Sequence, residues 1–151
     1  PPLIRPRPQP KRPPRPPPTA DRTAAPPPAR GGGYAGAVII SRAEFEELVA
    51  EAIDDVPEPF ASALHEVAVV VEERAPRDMG PLYGLYVGYP LVDGPMPSGA
   101  LPPRLAVYMR PLLDHCADAD EVVEQVRITV LHELGHHLGM DEDDLDRLGY
   151  A

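Results

Sequence analysis

Apolar positions along the chain fall into blocks of different period. From Ser41 onward Phe45, Leu48, Val49 and Ile53 recur at three- and four-residue steps, the spacing of one helix face. Ser41 followed three residues later by Glu44 reads as a capping box at its start, and Pro57 limits its end. A second, short helix is expected from Glu58 to about Glu66. It feeds Val67-Ala68-Val69-Val70-Val71-Glu72, a β-branched run that suits a central strand. Prolines and glycines are frequent between Arg74 and Pro103, so regular structure there must be short. Within it, Gly84 to Tyr89 alternates loosely and reads as an edge strand or extended loop, and Val92 to Ala100 as a flexible connector able to act as a lid. Arg104 to Arg110 is the next strand, with Leu105, Val107 and Met109 on one face and Ala106 and Tyr108 on the other. Pro111 is expected to stop it.

Asp118, with Glu121 three residues on, opens a long helix. Val123, Val126, Val130, Leu134 and Leu138 predict its buried stripe, and Gln125, Thr129, His132 and His136 a second face that looks into a cleft. His137 is out of phase with the other two histidines and is expected to make supporting or surface contacts. A final short helix should run from about Glu142 to Leu148. This order of elements predicts one α/β (α+β) domain: a small mixed sheet of three or four strands with the long helix packed along it.

Composition changes the picture at the N-terminus. Residues 1–33 hold 13 of the 23 prolines and end in three glycines, with almost nothing apolar to bury. They are expected to be a disordered tail of polyproline II character, and the folded domain to span 34–151. The tail carries seven Lys and Arg against one acid, a net of +6, while residues 34–151 carry seven basic against twenty-three acidic residues, a net of −16. A Pro-Arg run of this kind is a candidate ligand for a proline-recognition partner, or simply a tether. Without interleaved aromatics there is little case for nucleic-acid binding. No apolar run approaches the roughly 20 residues that span a bilayer, and nothing marks the chain for export, so the expectation is a cytoplasmic monomer. The one cysteine, Cys116, leaves no intramolecular disulfide and no cysteine-based zinc site, and reads as a small buried hydrophobe. His65 reads as structural.

The candidate chemistry lies in His132-Glu133-Leu134-Gly135-His136-His137-Leu138-Gly139-Met140-Asp141-Glu142. His132 and His136, four apart on a helix, share a face and can both put an imidazole nitrogen on one metal ion, with Glu133 beside it. Zinc suits such a site because it accepts neutral imidazoles and carboxylate oxygens, and three protein ligands leave a fourth position for water. Glu133 is then placed as general base, taking a proton from the water and passing it to a leaving amine. Gly139 can turn the chain back toward the metal, bringing Asp141, Glu142, Asp143 or Asp144 into reach as third ligand.

The motif resembles that of the zincins, and more closely that of small bacterial zincin-like metallopeptidases, or minimal zincins, whose motif His-Glu-x-x-His-His-x-Gly-x-x-Asp falls near the C-terminus. The likeness extends to Pro81-Leu82-Tyr83-Gly84-Leu85-Tyr86-Val87-Gly88-Tyr89-Pro90-Leu91, to Leu101–Tyr108 and to Leu145–Tyr150. Glu142 stands where the family has Asp. The resemblance implies a zinc-dependent peptidase acting on peptide or protein substrates, with His132, His136 and Glu142 as zinc ligands and Glu133 as base. In zincins generally an edge strand pairs with the extended substrate, which makes 84–91 the candidate substrate-binding segment. The alternative from a different class is a domain that binds zinc but serves as an interaction module. Arg147 and Tyr150 are the only candidate side-chain donors to an oxyanion after Glu142.

Overall fold

The computed structural model describes residues 38–88 and 98–151 in full and the backbone of residues 21–24. Ser41 starts the first helix by the predicted exchange. Its hydroxyl accepts from the Glu44 amide at 3.2 Å while the Glu44 carboxylate accepts from the Ser41 amide at 2.7 Å. Two amides that α1 (Arg42–Asp54) leaves without intrahelical partners are thereby satisfied. Phe45, Val49 and Ala52 are buried along it. The second helix, α2 (Phe60–Leu64), is shorter than the expected 58–66. Pro59 stands before its first turn and turn structure takes over at His65.

The sheet has the order β1-β3-β4-β2. Its central strand β4 (Arg104–Tyr108) pairs parallel with β2 (Ala68–Glu72) and antiparallel with β3 (Leu82–Val87). The alternation read from the sequence holds in β4. Leu105 and Val107 enter the main core with Phe45, Val126, Val130 and Leu134, while Ala106 and Tyr108 join Leu82 and Leu85 on the other face. Both faces of β4 are therefore buried, as a central strand requires.

Three expectations are corrected. The strand ends at Tyr108, not Arg110, and passes straight into an unforeseen helix, α3 (Met109–His115). Pro111 does not stop the chain but sits in the first turn of α3, where its missing N–H removes no intrahelical bond. Met109, Leu112, Leu113 and Cys116 form the buried side of this turn of chain. The second correction falls in the tail: Asp21–Ala24, inside the stretch read as disordered, forms strand β1 and pairs antiparallel with β3. The remainder of residues 1–33 lies outside the described residues, as do 92–97 of the expected connector. The third follows from the second: β3 is not an edge strand, because β1 covers it on the side away from β4.

The long helix α4 (Ala119–His137) begins as predicted, with the Asp118 carboxylate accepting from the Glu121 amide at 2.9 Å. It packs on α1 and crosses β3. Its buried side is wider than the predicted stripe: Val122 rather than Val123 is fully buried, and Thr129, Leu131, His132, Glu133 and His137 are buried as well. Gly84 is what allows the close crossing, since a Cβ there would lie 2.6 Å from Thr129 Cγ2. The last helix, α5 (Glu142–Leu148), packs back on α4 with Leu145 buried against Gly135. Among the described residues no helix is long and apolar enough to cross a membrane.

Candidate metal centre

His132 and His136 project from the last two turns of α4. Their Nε2 atoms are 3.1 Å apart. Glu142 Oε1 lies 3.0 Å from His136 Nε2 and 3.8 Å from His132 Nε2. Among the described residues this is the one group of three metal-ligating side chains brought together, with all three ligand atoms inside 4.8 Å.

The orientation of both rings is set by backbone. His132 Nδ1 is 2.8 Å from the carbonyl oxygen of Tyr150, and His136 Nδ1 is 3.1 Å from that of Met140. A carbonyl oxygen only accepts, so each Nδ1 carries a hydrogen, and Nε2 is the nitrogen whose lone pair a metal would take. Two such lone pairs and a carboxylate oxygen converging on one point repel each other, and a cation between them removes the repulsion. Ligand atoms on a tetrahedral ion with bonds of about 2.0–2.1 Å are about 3.3 Å apart. The observed separations of 3.0, 3.1 and 3.8 Å bracket that value. Two neutral imidazoles and a carboxylate are a donor set that zinc accepts, so the residues fit such an ion.

Local sequence explains how those carbonyls arrive. Gly139 takes φ 88°, and the bonds Met140 N–H to Gly135 O at 2.9 Å and Gly139 N–H to His136 O at 3.0 Å close α4 in a Schellman turn. That turn presents the Met140 carbonyl to His136 and starts α5 two residues later. Asp141 caps α5, its carboxylate accepting from the Asp144 amide at 2.9 Å, and Glu142 is the first helical residue. Gly149, with φ 80°, ends α5 by the same pair of bonds, Tyr150 N–H to Leu145 O and Gly149 N–H to Asp146 O. The chain then offers the Tyr150 carbonyl to His132.

Four acids stood open as third ligand, and the structure brings Glu142 to the imidazoles. Asp141 and Asp144 form the capping box of α5, and Asp144 also pairs with Arg147. Asp143 is not part of the cluster. His137 is buried, with its Nδ1 2.7 Å from the Tyr86 hydroxyl and the two ring centroids 4.8 Å apart. Glu133, next to His132, is fully buried, and its carboxylate accepts from the Tyr86 amide at 3.0 Å. Tyr86 of β3 thus touches α4 through both its amide and its hydroxyl. Burial pushes its phenol up to about 12, which keeps the hydroxyl neutral. Of the two candidate oxyanion donors, Tyr150 packs its ring edge-on against Phe60, and Arg147 bonds to the Asp143 carbonyl and the Asp144 carboxylate. Sequence reasoning missed the Tyr150 and Met140 carbonyls and the Tyr86 amide, though Gly139, Gly149 and the 84–91 segment pointed at the turns and strand that carry them.

A His-Glu-x-x-His helix packed along a small mixed sheet, with an acid returned by the following turn, defines a centre of the zincin type. The family model for zincin-like metallopeptidases matches residues 64–150, which run from the end of α2 through Tyr150 and include all of this centre. The chain belongs to that family. No curated protein matches it.

Proposed function

We propose that the protein is a zinc-dependent metallopeptidase in which His132, His136 and Glu142 hold the ion and Glu133 is the general base. The observation that carries this reading is the convergence of two imidazole Nε2 atoms and the Glu142 carboxylate beside a buried Glu133. Zinc held there would act as a Lewis acid toward the scissile carbonyl and toward water. Glu133 takes a proton from the attacking water and gives it to the leaving amine. The Tyr86 amide fixes the Glu133 carboxylate, so its direction is set before substrate arrives. Burial of Glu133 strengthens its interactions with charge developing nearby. The net charge of −16 over residues 34–151 favours basic or neutral peptides over acidic ones, a preference weakened by salt.

The test is turnover of an unfolded protein or a peptide library by zinc-loaded protein, with Glu133→Gln beside the wild type. The expected result is a loss of roughly 10²–10⁴-fold in rate with zinc content unchanged. Equal rates for the two proteins would contradict the assignment of Glu133. A zinc-loaded wild type that cleaves nothing would leave the zinc-binding interaction module as the reading.

A further inference from the structure

The strand that covers β3 comes from the tail. Asp21–Ala24 runs antiparallel to β3 in the register Asp21↔Tyr86, Arg22↔Leu85, Thr23↔Gly84, and it also lies against α4. Tyr86, opposite Asp21, is the residue whose amide holds Glu133. A strand in this place therefore lies along the one sheet edge that adjoins the buried carboxylate of the motif helix. An extended peptide pairing with β3 on that side would need the same backbone groups, since β4 already occupies the other side.

The sequence of the tail points to the same segment independently. Proline has no N–H to donate and is excluded from ladder positions. Within residues 1–28 the run Thr19–Ala25 is seven residues long without a proline, bracketed by Pro16-Pro17-Pro18 and Pro26-Pro27-Pro28, and no other proline-free run there exceeds three residues. The strand falls inside this run. The tail is net +6 and residues 34–151 are net −16, so long-range attraction favours the docking. Thirteen residues separate Ala24 from Val38. A tether that short presents the segment at an effective concentration on the order of millimolar.

We infer that the chain's own segment Asp21–Ala24 is the resident occupant of the outer edge of β3, the edge that the zincin likeness already marks for an extended peptide, and so a competitor built into the tail. The inference rests on the metallopeptidase reading for its consequence, that a substrate must displace this segment to reach Glu133. The pairing itself does not depend on catalysis.

The experiment uses the full chain, with and without zinc, and the double variant Arg22→Pro with Thr23→Pro. Neighbouring residues in a strand direct their amides to opposite sides, so one of the two prolines removes a donor facing β3 whichever way β1 is turned. Two quantities are read: amide hydrogen exchange along Leu82–Val87, and binding of a fluorescein-labelled peptide with the sequence of residues 19–25. The expected result is exchange at least roughly tenfold faster at alternate amides of β3, unchanged exchange in β4, and peptide binding at least roughly tenfold tighter than to the wild type. Unchanged exchange in β3, or exchange that rises while the peptide binds the two proteins equally, overturns the inference. A measurement on the wild type alone guards against a misfolded variant: one of the Arg22 and Thr23 amides is protected, and free exchange at both overturns the inference too. Because neither readout needs turnover, failure here and failure of the metallopeptidase reading are told apart.

Discussion

His132 Nδ1 lies 2.8 Å from the carbonyl oxygen of Tyr150, the penultimate residue of the chain. The contact parallels that of His136 with Met140, and in both pairs the carbonyl belongs to the residue after a glycine of positive φ. Each histidine is thus oriented by a helix-terminating turn, one closing α4 and one closing α5. Gly149→Ala places a side chain at φ 80°, a strained conformation, and should disturb the Tyr150 carbonyl without touching a ligand. Loss of such an orienting bond weakens metal affinity by roughly 10–100-fold. Competition with a chromophoric chelator measures it, with unchanged helical circular dichroism showing that α4 persists.

Substitutions at Glu142 and Asp141 should separate metal binding from folding. The Glu142 side chain is 70 % exposed, so Glu142→Ala should change stability of the metal-free protein by no more than about 0.5 kcal/mol while sharply lowering zinc affinity. Asp141→Ala removes the N-cap of α5 and should destabilise by about 1 kcal/mol. Urea unfolding of the metal-free forms, set beside zinc titrations of both, gives the comparison. An Asp141→Ala protein that loses zinc while Glu142→Ala keeps it would reverse the ligand assignment.

Gly84→Ala should be destabilising by about 1–3 kcal/mol, because the new methyl would lie 2.6 Å from Thr129 Cγ2 at the crossing of β3 and α4. Thr129→Ser removes that methyl and keeps the hydroxyl, which donates to the Gln125 carbonyl at 2.8 Å. In the Gly84→Ala background it should therefore recover part of the loss. A double-mutant cycle in urea measures the coupling, and strict additivity would place the strain elsewhere.

Alkaline pH should unfold the domain earlier than its charge alone suggests. Burial pushes the Tyr83 and Tyr86 phenols and the Cys116 thiol each up to about 12, from 10 for the phenols and 9 for the thiol. These folded-state values lie above the unfolded ones, so the native state holds protons that the unfolded chain releases. The resulting stability is complete below about pH 9 and is lost as pH rises toward 12. Urea midpoints at pH 8, 10 and 11 should fall in that order. Cys116→Ala, cavity cost aside, should flatten the fall between pH 8 and 10.

What was legible in the sequence was local. The Ser41–Glu44 capping box, the alternation of Leu105 to Tyr108, the start of α4 at Asp118 and the pairing of His132 with His136 are each carried by side chains a few residues apart. Helix α3 was not read from the sequence although Met109, Leu112, Leu113 and Cys116 stand at helical spacing, because Pro111 ends a strand as readily as it fits a first helical turn. Strand β1 was hidden by the composition around it, since seven proline-free residues do not offset the prolines on both sides. Glu142 was marked among four neighbouring acids by its place in the motif, and the structure sets it beside the imidazoles while Asp141 and Asp144 form a capping box. The Tyr150 and Met140 carbonyls left no signature at all, because any residue supplies a carbonyl and only the turn geometry aims it.

The most direct test of the metal centre is zinc per chain, measured by elemental analysis of protein reconstituted from the metal-free form, for the wild type beside His136→Ala. One zinc is expected in the wild type and none in the variant. A wild type that retains no zinc, or a variant that retains one, would contradict a zinc site at His132, His136 and Glu142.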